Sequence, residues 1–273
     1  MKPLPRFTCV ILLVTLWAAA AAAQIAIVGE LSNDHQASPG DSYEGSFTLR
    51  NEGAQPAEAK VYQTDYSFSC DGKTEYGEPG RMARSNARWI EFRPDRPVIP
   101  PRGSVVVQYS VKVPPNLGSD SLKGCYWSML MVEEVAPGSP ESSLPTANQK
   151  GMGLQQTIRY GIQIATHITG TGTSAVQFSD PALTQVDSVG KALRISISNT
   201  GETWMRPDVY LEIFDPSGKS RGRIEGTRYR MYPGTCVQQE IKIPLLPPGD
   251  YTALIVVDAG GDQAFGAQYT IKL

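Results

Sequence analysis

The chain has 273 residues, with 25 Lys plus Arg against 27 Asp plus Glu and a formal net charge of -2. That balance offers no basic surface for nucleic acid or an anionic membrane, and only two histidines, His35 and His167, are available for general-base or metal chemistry. Gly (26) and Pro (21) are plentiful and β-branched residues recur in short runs, which suits many short strands joined by turns.

The first residues read as a secretory signal. Lys2 and Arg6 precede an apolar run, and Ala21-Ala22-Ala23 before Gln24 supply the small side chains that signal peptidase requires. The alternative, an uncleaved anchor, would need roughly 20 apolar residues, more than this run offers. Removal of residues 1–23 is expected to leave an exported chain with no membrane span. Export permits disulfides. Three cysteines remain, Cys70, Cys125 and Cys236, so one thiol is left over or pairs between chains.

Residues 24–170 alternate strand and turn: SYEGSFTLRN, the turn EGAQP, AEAKVYQTDYSFSC, ARWIEF, the turn PVIPPRGS, VVVQYSVKV and CYWSMLMVEEV. The stretch 136–153 is rich in Pro, Ser and Gly and reads as a mobile loop. It leads to LQQTIRYGIQIATHI, where Ile158, Tyr160, Ile162, Ile164 and Ile168 share one face and Arg159, Gln163 and His167 the other. His167 is then a solvent-facing strand residue, and His35 lies in a loop. A second round of strands occupies residues 171–273, with turn chemistry at Asp215-Pro216-Ser217-Gly218 and Pro247-Pro248-Gly249-Asp250. Strands at this spacing, without a 3.6-residue period, predict an all-β protein of two tandem immunoglobulin-like sandwiches. A single large barrel is the alternative.

In such a sandwich the strands ending at Cys70 and starting at Cys125 would be the third and sixth, antiparallel neighbours. Alternation puts Cys125, Trp127, Met129 and Met131 on one face, and Tyr62, Tyr66, Phe68 and Cys70 on one face of the other strand. A Cys70–Cys125 disulfide is expected, against the alternative of two separate buried thiols. Cys236 is expected to be a buried thiol, or to bridge two molecules.

The motifs that could carry chemistry are incomplete. Gly218-Lys219-Ser220 is the tail of a phosphate loop, but Ile213 stands where that motif needs glycine and no helix follows, so no nucleotide is expected. Neither G-x-S-x-G nor a nucleophile with a base in reach is present. Asp71, Glu75 and Glu78, and Asp258 and Asp262, match no calcium loop. No catalytic residue, metal or cofactor is expected.

Three motifs carry a resemblance. Arg88-Trp89-Ile90, then the Pro-rich turn from Pro97 to Ser104, then Tyr126-Trp127 follow one another in this order. They resemble the periplasmic immunoglobulin-fold chaperones of chaperone–usher pilus assembly. A similar order occurs in surface immunoglobulin-like proteins associated with WxL proteins. The resemblance covers residues 25–170 and implies a periplasmic protein that binds a β-rich pilus or surface subunit by strand addition, through residues 152–164. Met152, Leu154, Ile158, Arg159, Tyr160, Ile162 and Ile164 are the partner-binding residues it implies. In that family a first-strand arginine and a last-strand lysine hold the client's terminal carboxylate. QIAIVGEL has no basic residue, and Arg159 stands near the second position. A structural or adhesive envelope protein, its sandwiches serving as spacers and binding modules, is the alternative.

Overall fold

The structure is a computed structural model, and it describes residues 25–116, 121–145, 158–187 and 190–273. The expected signal peptide, Met152 and Leu154 lie outside the described residues. As the turn-rich composition predicts, the chain is all-β, with one 3-10 turn at Ala87–Trp89 and no α-helix among the described residues.

The first half contains β1 (Ile25–Val28), β2 (Ser32–Ala37), β3 (Ser42–Asn51), β4 (Ala57–Phe68), β5 (Thr74–Gly77), β6 (Ile90–Arg93), β7 (Val98–Ile99), β8 (Ser104–Lys112), β9 (Cys125–Val135) and β10 (Arg159–Ile168). One sheet has the order β1-β3-β8-β6; the other runs β2-β10-β9-β4-β5, with β7 also on β4. Period-two alternation makes these strands. In β3, Phe47 and Leu49 turn inward while Ser46 and Arg50 face solvent. In β8, Val107, Tyr109 and Val111 do the same against Gln108 and Lys112. Leu49, Ile99, Val107, Leu130, Ile162 and Ile164, all fully buried, fill the core between the sheets. Each such side chain contributes about 1.5–3 kcal/mol. The chain changes sheet between β1 and β2 at Gly29, whose φ of +123° favours glycine. β1 pairs antiparallel with β3, and β2 pairs parallel with β10.

The second half contains β11 (Val176–Gln185), β12 (Lys191–Asn199), β13 (Asp208–Phe214), β14 (Ser220–Glu225), β15 (Cys236–Ile243), β16 (Asp250–Gly260) and β17 (Gln263–Lys272). Its sheets are β11-β12-β15 and β14-β13-β16-β17, closed over Leu193, Ile195, Ile197, Leu211, Ile213 and Ile255. The architecture is that of two sandwiches rather than one barrel. The run RGRIEGTRYR is a strand only to Glu225, after which Gln239 takes over the backbone of Thr227, accepting from its N–H and donating to its carbonyl.

The cysteine pairing differs from the expected one. β4 and β9 are antiparallel neighbours as predicted, with Tyr62 opposite Met131 and Thr64 opposite Met129. Beyond Thr64, however, β4 leaves β9 and pairs with β5 as a projecting hairpin. Cys70, in the turn after β4, is carried away from Cys125 and bonds to Cys236 at the start of β15, 166 residues later, with Cα atoms 4.6 Å apart. Cys125 instead sits opposite His167 on β10 and is a free, buried thiol. Cys236 is thus neither a thiol nor an intermolecular link.

Both histidines also differ from expectation. His35 belongs to β2 and stacks on Tyr43 at 4.2 Å between ring centroids. His167 is half-buried beside Trp204, because the second half covers that face of β10. The described part of the Pro-rich stretch, residues 136–145, is folded onto β4. There the buried Glu58 accepts hydrogen bonds from the Ser142 hydroxyl (2.9 Å) and the Ser143 N–H (2.7 Å), while Glu141 pairs with Lys60 and Arg96. Burial alone would raise the Glu58 pKa; those hydrogen bonds and Arg96 hold it below the usual carboxylate value.

Candidate functional site

Two features stand out, the open edge of β10 and the junction between the halves. Along β10 one side is fully paired with β9, from Arg159 opposite Glu133 to His167 opposite Cys125. On the other side, among the described residues, β2 covers only Gln163 onward. The Gln163 N–H donates to the Leu31 carbonyl at 2.8 Å on that side. By strand alternation the main-chain groups of Arg159 and Gly161 point the same way, toward the uncovered edge. Val28 and Leu31, where the chain crosses from β1 to β2, are exposed apolar residues.

The side chains of β10 sort clearly. Ile162 and Ile164 are fully buried in the core, and Tyr160 packs partly against it. Ile158 is half-buried. Arg159 is exposed and ion-paired with Glu133 at 3.1 Å, which keeps its guanidinium charge occupied and its pKa raised. The inward side chains therefore hold the sandwich together, and the uncovered part of the strand offers backbone. Among the expected partner-binding residues the structure brings Ile158, Arg159 and Tyr160 to that edge.

At the other end of β10 the outer face of the sheet is covered by the second half. Trp127 and Tyr232 stack, with centroids 4.6 Å apart and planes inclined by 13°. Together with Cys125 and Ala165 they form a small apolar cluster of their own. The Tyr232 hydroxyl donates to the Gln163 Oε1 at 2.9 Å, and the Trp127 Nε1–H to the Tyr66 carbonyl at 2.8 Å. Arg230 pairs with Asp34 of β2 through both of its terminal nitrogens and lies over the Trp204 ring at 3.8 Å. Cys125 N–H donates to the Glu202 carbonyl at 2.7 Å, an approach that Gly124, with φ of +69°, permits. The basic group that meets Asp34 thus comes from the second half. The sequence carries it in the run RYRMY, but nothing in that run says which face meets β2.

A cavity of about 300 Å³ opens here, lined by Asp34, His35, Gln36, His167 and Trp204. Burial lowers the pKa of His167, with Asp34 opposing and Arg230 reinforcing the shift; burial likewise lowers His35 against the pull of Asp34. Burial pushes the Cys125 thiol up to about 12, so it stays protonated and is a poor nucleophile. Among the described residues no three His, Cys, Asp or Glu side chains gather to hold a metal ion. At Gly218-Lys219-Ser220 the backbone amides of Ser217 and Lys219 are turned onto the Asp215 carboxylate (2.9 and 3.1 Å), which closes a hairpin turn. The Ser69–Asp71–Lys73 and Glu78–Arg81 contacts likewise absorb the first acidic cluster.

No family model and no curated protein matches the sequence. Among solved structures, the chain is similar to a chaperone–tip adhesin complex of CFA/I fimbriae biogenesis (12% identity, 90% of this chain and 98% of that one, TM-score 0.49). It is also similar to the E. coli chaperone DraB (14% identity, 89% and 95%, TM-score 0.43). A third is the Salmonella enterica SafA pilin in complex with the SafB chaperone (11% identity, 93% and 99%, TM-score 0.43). These neighbours are named as chaperones or chaperone complexes and are covered over most of their length at low sequence identity, while a PapD-like domain of human CEP192 matches 60% of this chain.

Proposed function

We propose that this chain is a non-catalytic, periplasmic chaperone-like or accessory factor in the assembly of pili or other surface structures, binding a β-rich subunit by strand addition along β10. The observation that carries this reading is the edge at residues 159–162, which no strand among the described residues covers: β9 pairs on one side and β2 has not yet begun. A strand edge of this kind presents N–H and C=O groups to an incoming chain. With Ile162 and Ile164 committed to the core, affinity would come from main-chain hydrogen bonds, and selectivity from Tyr160, Ile158 and the residues preceding them.

The test is a photo-crosslinking residue at Arg159 or Tyr160, with the tagged chain expressed in its own envelope and adducts identified by mass spectrometry. A small β-rich subunit in the adduct supports the reading. Recovery of only this chain, or of cell-wall material, overturns it in favour of a structural or adhesive envelope protein. The disulfide between the halves suits that second reading, because a spacer gains from being rigid.

A further inference from the structure

The Cys70–Cys236 bond joins two sandwiches whose cores are each closed without it. Cys70 sits in the turn at the tip of the β4–β5 hairpin. Its neighbours' hydrogen bonds run within that turn: Ser69 N–H to the Lys73 carbonyl at 3.1 Å, Gly72 N–H to the Ser69 carbonyl at 2.9 Å, and Asp71 with Ser69 and Lys73. The hairpin meets the second half through Phe68, which packs on that half's core, through an edge contact of Tyr66 with Tyr232 at 6.4 Å, and through the covalent bond. Other junction contacts, among them Trp127 on Tyr232, Arg230 on Asp34, Arg84 on Glu202 and Tyr232 on Gln163, are non-covalent and come from β9, β2, β10 and the loop before β6.

The bond is also reachable. An open groove of about 480 Å³ runs between the hairpin and the second half, and both cysteines line it with Tyr66, Phe68, Tyr229 and Gln238. Cys70 is half-buried and Cys236 buried, so Cys70 is the more accessible of the two residues in the groove. The third cysteine, Cys125, lies inside the Trp127–Tyr232 cluster as a protonated thiol and is not placed to compete.

We propose that the Cys70–Cys236 bond is a redox-reversible staple: oxidised, it clamps the β4–β5 hairpin to β15 and tightens the junction; reduced, it frees the hairpin while both sandwiches stay folded. The reductant is a dithiol. Its thiolate attacks the Cys70 sulfur, the S–S bond breaks, and Cys236 leaves as a thiolate that takes up a proton. The second thiol of the reagent then displaces Cys70 and closes its own disulfide, so two electrons and two protons pass from dithiol to protein. This inference is independent of the partner-binding reading.

The experiment uses the mature chain, oxidised or reduced with dithiothreitol under native conditions and then capped with iodoacetamide, followed by hydrogen-exchange mass spectrometry. Two capped thiols should appear in the folded protein. Amide exchange should accelerate several-fold at residues 69–73 and 229–237, and stay unchanged in β8 and β12. A Cys125→Ser variant, which keeps the bridge, should behave like the parent in both states. If the bond yields only when the whole chain unfolds, or if reduction leaves exchange at those two segments unchanged, the staple is refuted. A Cys70→Ser/Cys236→Ser variant should match the reduced parent; should it fail to fold, native reduction alone decides.

Discussion

Replacing Tyr232 by alanine removes a side chain that belongs to the second half by sequence and to the junction by position. Tyr232 is fully buried, stacks on Trp127 at 4.6 Å, and donates its hydroxyl to Gln163 at 2.9 Å. Truncating a buried aromatic residue costs about 3–5 kcal/mol. Of that, the hydroxyl bond accounts for about 1 kcal/mol and the ring pair for about 0.5–1.5 kcal/mol. Tyr232→Phe should therefore cost about 1 kcal/mol and Tyr232→Ala about 4 kcal/mol. For a folded unit of this size, the alanine variant should melt roughly 10 °C lower. Urea unfolding followed by tryptophan fluorescence and circular dichroism gives the free energies, and a double-mutant cycle with Trp127→Ala isolates the pair. A cost below about 1 kcal/mol for Tyr232→Ala, or one unchanged in the Trp127→Ala background, would refute the claim that this stack joins the halves.

Two further outcomes follow from the same region. Gly124 holds φ at +69°, and a Cβ there would run into the Glu202 backbone carbonyl, so Gly124→Ala should cost at least about 2 kcal/mol; a variant melting within about 2 °C of the parent would contradict this. Because burial lowers the His167 pKa from its ordinary 6.5, the unfolded chain binds this proton more readily, so stability should fall as pH drops from 6.5 toward the depressed folded value. His167→Gln should flatten that slope without abolishing it, since the His35 pKa is lowered too; equal slopes in urea titrations between about pH 7 and 5 would show that the His167 environment is misread.

How much of this was legible beforehand depends on the range of the interaction. Strands β3 and β8 could be read from alternation because one face of each meets a core and the other meets water, and that contrast is written residue by residue. The neighbourhood of β4 and β9 was legible from strand order, since the third and sixth strands of such a sandwich are antiparallel neighbours. The Cys70 partner was not, because the departure of β4 from β9 after Thr64 depends on the hairpin with β5, a short and fully exposed strand with little apolar signal. At the candidate edge, the regular pattern of β10 announced a strand with a core face; that β2, among the described residues, begins its pairing only at Gln163 follows from a sheet switch at Gly29 that a single glycine does not declare.

By itself, then, the sequence determined an all-β chain in two rounds of strands, because period-two burial is a local property. It also determined the scarcity of groups for chemistry, since composition alone limits nucleophiles, bases and ligands. Only the tertiary structure decided that Trp127 faces outward to meet Tyr232, that Asp34 meets Arg230, and that Cys70 bonds Cys236 across 166 residues. Those pairs join faces that look alike in sequence. Nothing local says whether the outer face of a sheet meets water or the other half of the same chain.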